Sequence, residues 1–445
     1  MVNSRYKRVV DRLSEAIHSG VLPAGSRLPT HRQLAKQEKI SLVTATRVYS
    51  ELKAQGLISG EVGRGTFVRE LSLPVSLGIE QPLSPDKIDL NFNYIAQPLQ
   101  TELLRSSLKK IATSGDLESL LRYQSHSGTL AARRLFTDYV RRQGITQAKP
   151  EQMLIVSGAQ HGLSVMTMGL LKPGDVVAVD ELTYPGFKAL AQSFHLELAA
   201  VSAGQAGPDL AAFEQLCRER RIKAYYTMPT LHNPLGWVMS LEQRLALIEI
   251  ARRYDVLLFE DATYAFLVEQ APAPLAALAP DMTVYISGFS KNIATGLRVG
   301  FIIAPLDKKE QLERIIRVTT WNTSALLVTL VCDWLESDEV TKMEQEKRID
   351  AAERQRIAQT VFAGMRFIGY PVSYYLWLKL PDEVRCEQVV KHLSEQGIAI
   401  ATAQPFAAGT HVPHAIRLAL GAVAKKELEG ALIKVRQAIE YYIDY

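Results

Sequence analysis

The sequence is poor in cysteine. Its 445 residues hold three, Cys217, Cys332 and Cys386. They are far apart and odd in number, so neither a disulfide framework nor a Cys-based metal spacing can be drawn from them, and a reducing compartment is expected. Long apolar runs are also missing. None reaches the roughly 18 residues that a membrane span needs. The residues after Met1 are polar and basic, without the apolar core of a secretory signal. There is no internal repeat and no low-complexity tract. These absences argue against a secreted disulfide scaffold, a membrane helix and a solenoid, and they predict a cytoplasmic globular protein. With 47% hydrophobic and 22% charged residues, the composition is that of a globular chain, and the length suits two or three domains.

The net charge of +4 is unevenly spread. Residues 1–70 carry twelve Lys and Arg against six Asp and Glu, which is +6, leaving −2 for the remainder. A basic module on a near-neutral body fits a local polyanion contact. A slightly basic segment of this size also occurs without one.

The pattern in those seventy residues is informative. Tyr6, Val9, Val10, Leu13, Ala16 and Ile17 recur at helical spacing, and Gly20 ends the helix. Thr30 and Gln33 form a capping-box pair that predicts a second helix, broken at Ile40 and Ser41. A third helix runs to Gln55 with Ala45, Val48, Tyr49 and Leu52 inward and Thr44 and Arg47 on the polar face. Two strand-like pieces, LIS and TFV, then flank a glycine-rich tip that holds Arg64. A helix with polar residues near its start suits a major groove, and a wing suits the neighbouring minor groove or backbone. The same pattern fits a three-helix interaction module that binds no DNA.

Residues 71–88 are proline-bearing and aperiodic, and read as a connector between a unit at 1–70 and a body at 89–445. In the body, strand-like apolar runs alternate with helical patterns, which predicts an α/β domain with a mostly parallel sheet. Ligands of such sheets sit beyond the carboxyl ends of the strands. Ser157, Tyr184, Asn233, Asp261 and Ser290–Lys291 fall at those ends. Lys291 follows an apolar strand among Gly and Ser, and a lysine there could form a Schiff base with an aldehyde. Asp261 could pair with a protonated pyridine nitrogen, Asn233 and Tyr264 could bond a phenolic oxygen, and Tyr184 could cover a ring face. Arg298 and the N–H groups opening the helix at SGAQ could hold a phosphate. Singly each has a bland reading as a cap, a turn or a surface pair. Together they meet the needs of pyridoxal phosphate.

Two resemblances sharpen this. LPTHRQLAKQ, SLVTATRVYSELKAQGLI and GRGTFV resemble the winged helix-turn-helix of the GntR regulators. That likeness implies DNA contacts from Arg32, Ser41, Thr44, Arg47 and Arg64. Leu42 stands where the family often has a basic residue. SGAQ, TYPG, HNPLG, EDATYAFL, SGFSKNIATGLRVG and IRLALG resemble the ordered motifs of fold-type I pyridoxal phosphate enzymes of the aspartate aminotransferase group. This implies that Lys291 carries the cofactor, Asp261 pairs with the ring nitrogen, Asn233 and Tyr264 bond the ring hydroxyl and Tyr184 stacks on the ring. It further implies phosphate contacts from Gly158, Ala159, Gln160, Ser290 and Arg298, a carboxylate contact from Arg417, and a phosphate contact from Tyr123 in the partner subunit's site. Gly288 stands where the family often has a hydroxyl residue, with Ser287 as the alternative donor.

A GntR-type head on an aminotransferase-like body resembles the MocR-type subfamily. The expectation is a homodimeric regulator of a double-stranded DNA operator, with no membrane contact, whose body senses pyridoxal phosphate, an amino-acid-like effector, or both. In such a dimer each head is expected over the other subunit's body. The alternative is an active aminotransferase carrying a DNA-binding head. Asn233 bears on that alternative, because the Asn-Pro pair typical of the enzymes is missing from many of the regulators.

Overall fold

The computed structural model describes residues 5–23, 26–54, 57–61, 65–68, 87–94, 98–113, 117–204, 206–409 and 411–444. The apolar spacing read at the start of the chain becomes three helices, Arg5–His18, His31–Glu38 and Leu42–Ala54. Val9, Val10, Leu13 and Ile17 of the first, Leu34 of the second and Ala45, Val48, Tyr49 and Leu52 of the third form one small core. The second helix begins with the expected reciprocal cap. Gln33 N donates to Thr30 Oγ1 at 3.3 Å, and Thr30 N donates to Gln33 Oε1 at 2.8 Å. Lys39, in the left-handed region at φ 52°, ends it. Strands β1 (Ile58–Glu61) and β2 (Gly65–Val68) pair antiparallel as the predicted hairpin. Its tip, with Arg64, lies outside the described residues.

The body has two sheets. Strand β3 (Ile88–Leu90) enters the smaller one. The larger holds β4 (Met153–Val156), β5 (Val176–Asp180), β6 (Glu197–Val201), β7 (Ile222–Thr227), β8 (Leu257–Asp261), β9 (Thr283–Gly288) and β10 (Gly300–Ile303), in the order β4-β10-β9-β8-β7-β5-β6. Most of these strands are nearly continuous apolar runs because helices cover both faces. Strand β10 is antiparallel to both β4 and β9, and the other pairs are parallel. Six of the seven strands therefore end at the same edge.

Strands β11 (Phe367–Ile368), β12 (Tyr375–Lys379), β13 (Ile398–Thr402) and β14 (Ala415–Ala419) join β3 in a five-stranded sheet of order β11-β12-β14-β13-β3. The helix Glu339–Val361 runs between the two sheets' territories, burying Met343 in the core of the large unit and Ala358 and Val361 in that of the small one. Against the expectation of a head over the other subunit's body, the head touches the small unit of its own chain: Arg385 Nη2 pairs with Asp11 Oδ2 at 2.9 Å, and Lys7 donates to the Glu383 carbonyl. No helix among the described residues is long and apolar enough to cross a membrane.

Loss of the Thr30 cap is expected to cost about 1 kcal/mol. In Thr30→Ala, hydrogen exchange of amides in His31–Glu38 should quicken roughly five-fold while the large sheet keeps its protection. Unchanged exchange would show that the box does not hold this helix.

Candidate functional site

The shared edge of the large sheet gathers the polar groups. After β4 the chain turns at Gly158, φ +85°, and the helix Ala159–Leu170 begins. Its first N–H groups, like those of any helix, have no intrahelical acceptor, which makes them candidate donors to an anion. A Cβ on Gly158 would lie 2.7 Å from Arg298 Nη2, so the guanidinium packs directly against the turn. Arg298 Nη1 donates to Ser290 Oγ at 3.2 Å. Gly300 lets this closure happen, since a Cβ there would meet Gly158 C at 2.9 Å and Ala159 N at 3.0 Å. Gln160 Nε2 donates to Gly186 O at 3.1 Å, while its Oε1 is buried without a partner among the described residues. The Tyr184 ring lies over Gly186, close to Gln160.

The Gly288 substitution has a steric reason. A Cβ there would meet Val299 O at 3.0 Å and Gly300 Cα at 3.1 Å, so a hydroxyl residue needs the main chain to shift. The Ser287 hydroxyl is buried and donates to Ala262 O at 3.2 Å.

Asp261 ends β8, fully enclosed. Its Oδ2 accepts from Tyr226 Oη at 2.9 Å, and its Oδ1 accepts from Thr263 Oγ1 at 2.6 Å and Thr263 N at 3.0 Å. Burial pushes the carboxyl above its ordinary range, and the Thr263 and Tyr226 hydrogen bonds pull it back. Arg417, on β14, is 7% exposed. Its Nη1 donates to Asn233 Oδ1 at 3.4 Å, its Nη2 donates to the Asn91 carbonyl, and its Nε has no partner among the described residues. Burial pulls it down from the ordinary guanidinium value, and Tyr264, Tyr375, Asp89 and Tyr184 hold it up. Lys291 Nζ donates to Asn93 O at 2.8 Å and lies 5.8 Å from the centre of the Tyr264 ring. The Tyr184 hydroxyl is pushed up by burial, then by Asp261 and Tyr264, against Arg298 and Arg417. One phenol thus feels four of the residues singled out from sequence.

Other residues at this edge carried no sequence signal. Asp180, closing β5, accepts from Tyr225 Oη at 2.6 Å and Thr227 Oγ1 at 2.8 Å, and lies 3.3 Å from His232 Nε2. His232 stacks on Trp237 at 4.1 Å and precedes Asn233, so this network fixes the Asn233 turn. Strand β5 ends in an acid, the one hint available. Asn91 and Asn93 bond through main-chain oxygens, which no side-chain pattern reveals.

Tyr123 stands apart. It is 85% exposed, with its ring 5.4 Å from that of Trp321. In the head, Arg32 is exposed, and Ser41 Oγ caps the third helix by accepting from Thr44 N at 3.1 Å. Leu42 and Val43 are both exposed at that helix's start. The Arg47 guanidinium sits 4.6 Å from the centre of the Tyr6 ring and lines a cleft of about 200 Å³ with Glu51, Glu383 and Arg385.

Residues 85–435 match the model of aminotransferase class I and II. The chain belongs to that family. Residues 5–68 match the bacterial regulatory proteins of the gntR family, so a GntR head is fused to an aminotransferase body, the arrangement of the MocR-type subfamily. The HTH-type transcriptional regulator YdeF of Bacillus subtilis is 26% identical over 98% of this chain and 94% of its own. The probable rhizopine catabolism regulatory protein MocR of Rhizobium meliloti is 24% identical over 79% and 76%. Among solved structures, a kynurenine aminotransferase from Pyrococcus horikoshii superposes with TM-score 0.75 at 22% identity, covering 80% of this chain and 92% of its own. LysN, an α-aminoadipate aminotransferase from Thermus thermophilus, gives 0.73 at 21% over 89% and 99%.

Family and fold imply pyridoxal phosphate. The site fits it: a helix N-terminus flanked by Arg298 and Ser290 suits a phosphate, the enclosed Asp261 carboxylate suits a cationic ring nitrogen, and Lys291 supplies an amine. Because the Asp261 carboxyl is raised in the fold, it favours folding below the ordinary carboxylate range and disfavours it above. At neutral pH, Asp261→Asn should leave the thermal midpoint of the cofactor-free protein equal or higher, yet weaken pyridoxal phosphate binding roughly 10- to 100-fold. Equal affinity in both proteins would remove Asp261 from the ring-nitrogen role.

Proposed function

We propose that this chain is a transcriptional regulator whose aminotransferase-like body binds pyridoxal phosphate and reports that cofactor, or an amino-acid effector held with it, to the DNA-binding head. One observation carries the reading. Asn91 and Asn93 follow directly on the strand by which the connector enters the body, and their carbonyls are the partners of Arg417 and Lys291. A carboxylate at Arg417 and an aldehyde at Lys291 compete with these carbonyls. Ligand state is thereby coupled to the segment that leads to the head, which supplies the differential contacts that a switch requires.

In this reading residues 1–70 bind DNA, 71–88 connect and 89–445 sense. Lys291 holds the cofactor aldehyde. Asp261 pairs with the ring nitrogen, Asn233 and Tyr264 bond the ring hydroxyl, and Tyr184 stacks on the ring. Gly158, Ala159 and Gln160, at the start of their helix, hold the phosphate with Ser290 and Arg298. Arg417 receives the effector carboxylate. The bound cofactor supplies an aldehyde that captures amines and a ring that withdraws electrons. Tyr123, exposed on one protomer, serves the partner's phosphate site in a homodimer. Arg32, Ser41, Thr44, Arg47 and Arg64 contact the operator. Promoter DNA puts this work in the bacterial cytoplasm.

Two measurements test this. Single amino acids added to the protein loaded with pyridoxal phosphate should shift the visible band and leave it shifted, with Lys291→Ala showing no such band. Decay of the band with release of a keto acid would favour the aminotransferase reading. A surviving band in Lys291→Ala would dismiss that lysine. On operator DNA, Arg32→Ala and Arg47→Ala should each weaken binding and lower the salt slope by about one. An unchanged slope in both would take these residues out of the interface.

A further inference from the structure

The Lys291 segment is gripped by a helix that the sequence reading did not connect with it. Glu344 and Lys347 stand three residues apart on the helix Glu339–Val361, hence on one face. Lys347 is 1% exposed. Its Nζ donates to Lys291 O and to Ile293 O, both at 2.9 Å. Glu344 accepts from Asn292 Nδ2 at 2.8 Å and from Tyr139 Oη at 2.7 Å. The main chain or side chain of each residue from Lys291 to Ile293 is therefore bonded to this helix. The same helix reaches the Tyr264 turn, where Arg348 Nε donates to Phe266 O at 2.7 Å.

Buried carbonyls need partners, and a buried lysine is rare without a task. The charged and titratable groups around Lys347 are Lys291, Glu344 and Asp350, with the Tyr374 hydroxyl on its carbonyl and Arg348 and Tyr139 beside Glu344. Burial, then the charge of Lys291, pushes Lys347 down to about 7. A neutral amine still has two N–H bonds, so both contacts survive its titration.

We propose that Lys347 is a positioning residue for the cofactor amine: with Glu344 it clamps the main chain around Lys291, so that the amine meets the aldehyde in one orientation. This rests on the reading of Lys291 as the cofactor amine. A fixed amine reacts faster because its orientation is already set.

The test compares Lys347→Met, Lys347→Arg and Asn292→Ala in the full chain. Three quantities are read: the rate at which pyridoxal phosphate forms its visible band, the circular dichroism of that band at saturation, and the thermal midpoint. Lys347→Met and Asn292→Ala should each slow the rate at least ten-fold and reduce the dichroism per bound cofactor several-fold. Lys347→Arg, which keeps the donors, should recover most of both. Should Lys347→Met fail to fold, Asn292→Ala, which cuts the links to Glu344 and Tyr139 and leaves Lys347 in place, decides the matter. Unchanged rate and dichroism in a folded Lys347→Met or Asn292→Ala overturn the proposal, as does a loss explained wholly by a lower thermal midpoint. Trinitrobenzenesulfonate labelling of the cofactor-free protein, read by mass spectrometry at Lys291, separates the premises. Slower labelling of Lys291 in Lys347→Met than in the parent supports the clamp, and equal labelling contradicts it. A parent whose Lys291 labels normally yet never forms the band refutes the cofactor role instead.

Discussion

The site turns on two charged groups, Arg417 and Asp261, that are buried without a hydrogen-bonded counter-charge among the described residues. Arg417 is enclosed, and among the described residues its hydrogen-bond partners are an amide oxygen and a main-chain carbonyl. Asp261 is enclosed with three neutral donors. Burying a guanidinium or a carboxylate costs free energy unless a counter-charge meets it, so the cofactor-free site is electrostatically incomplete. A ligand with a cationic ring nitrogen and a carboxylate supplies what both groups lack. At Arg417 the Asn91 carbonyl and the Asn233 side-chain oxygen are neutral acceptors that stand where a carboxylate would.

The fold exists to hold those charges in register. Five of the six strands that end at one edge deliver Gly158, Tyr184, Asn233, Asp261 and Lys291 from separate stretches of chain. The antiparallel β10 returns Arg298 to the turn after β4. The small sheet contributes Arg417 from one strand and, beyond β3, the Asn91–Asn93 segment. One long helix ties the two territories together, through Lys347 and Glu344 at the lysine and through Arg354, which donates to Leu420 O at 2.6 Å, near Arg417. The lysine edge and the small unit on which the head rests are therefore joined through one helix.

Much of this was legible in the sequence, and the reason is local. Thr30 and Gln33 announce a cap because both partners sit within one turn. Gly158 announces a tight turn because its φ of +85° is one that glycine adopts readily. Apolar runs that end in Asp261 or Ser290–Lys291 announce strand termini at a ligand edge. Contacts made by main-chain atoms or set by topology stayed hidden. The run GFII does not disclose that β10 is reversed. Tyr226 sits in an apolar strand with nothing to mark its bond to Asp261. Lys347 lies in a helix crowded with charges, where a buried lysine looks like its solvated neighbours. The bond from the Ser287 hydroxyl to Ala262 O, 25 residues away, is likewise set by topology.

The most direct test of the account is hydrogen exchange across residues 88–94, with and without pyridoxal phosphate and a responsive amino acid. If Lys291 and Arg417 let go of Asn93 O and Asn91 O when they take up ligand, the amides of Asn91 to Tyr94 exchange faster in the loaded protein while the large sheet becomes more protected. Loaded protein in which this segment exchanges as before, with the sheet protected, would contradict the claim that the ligand reaches the head through it.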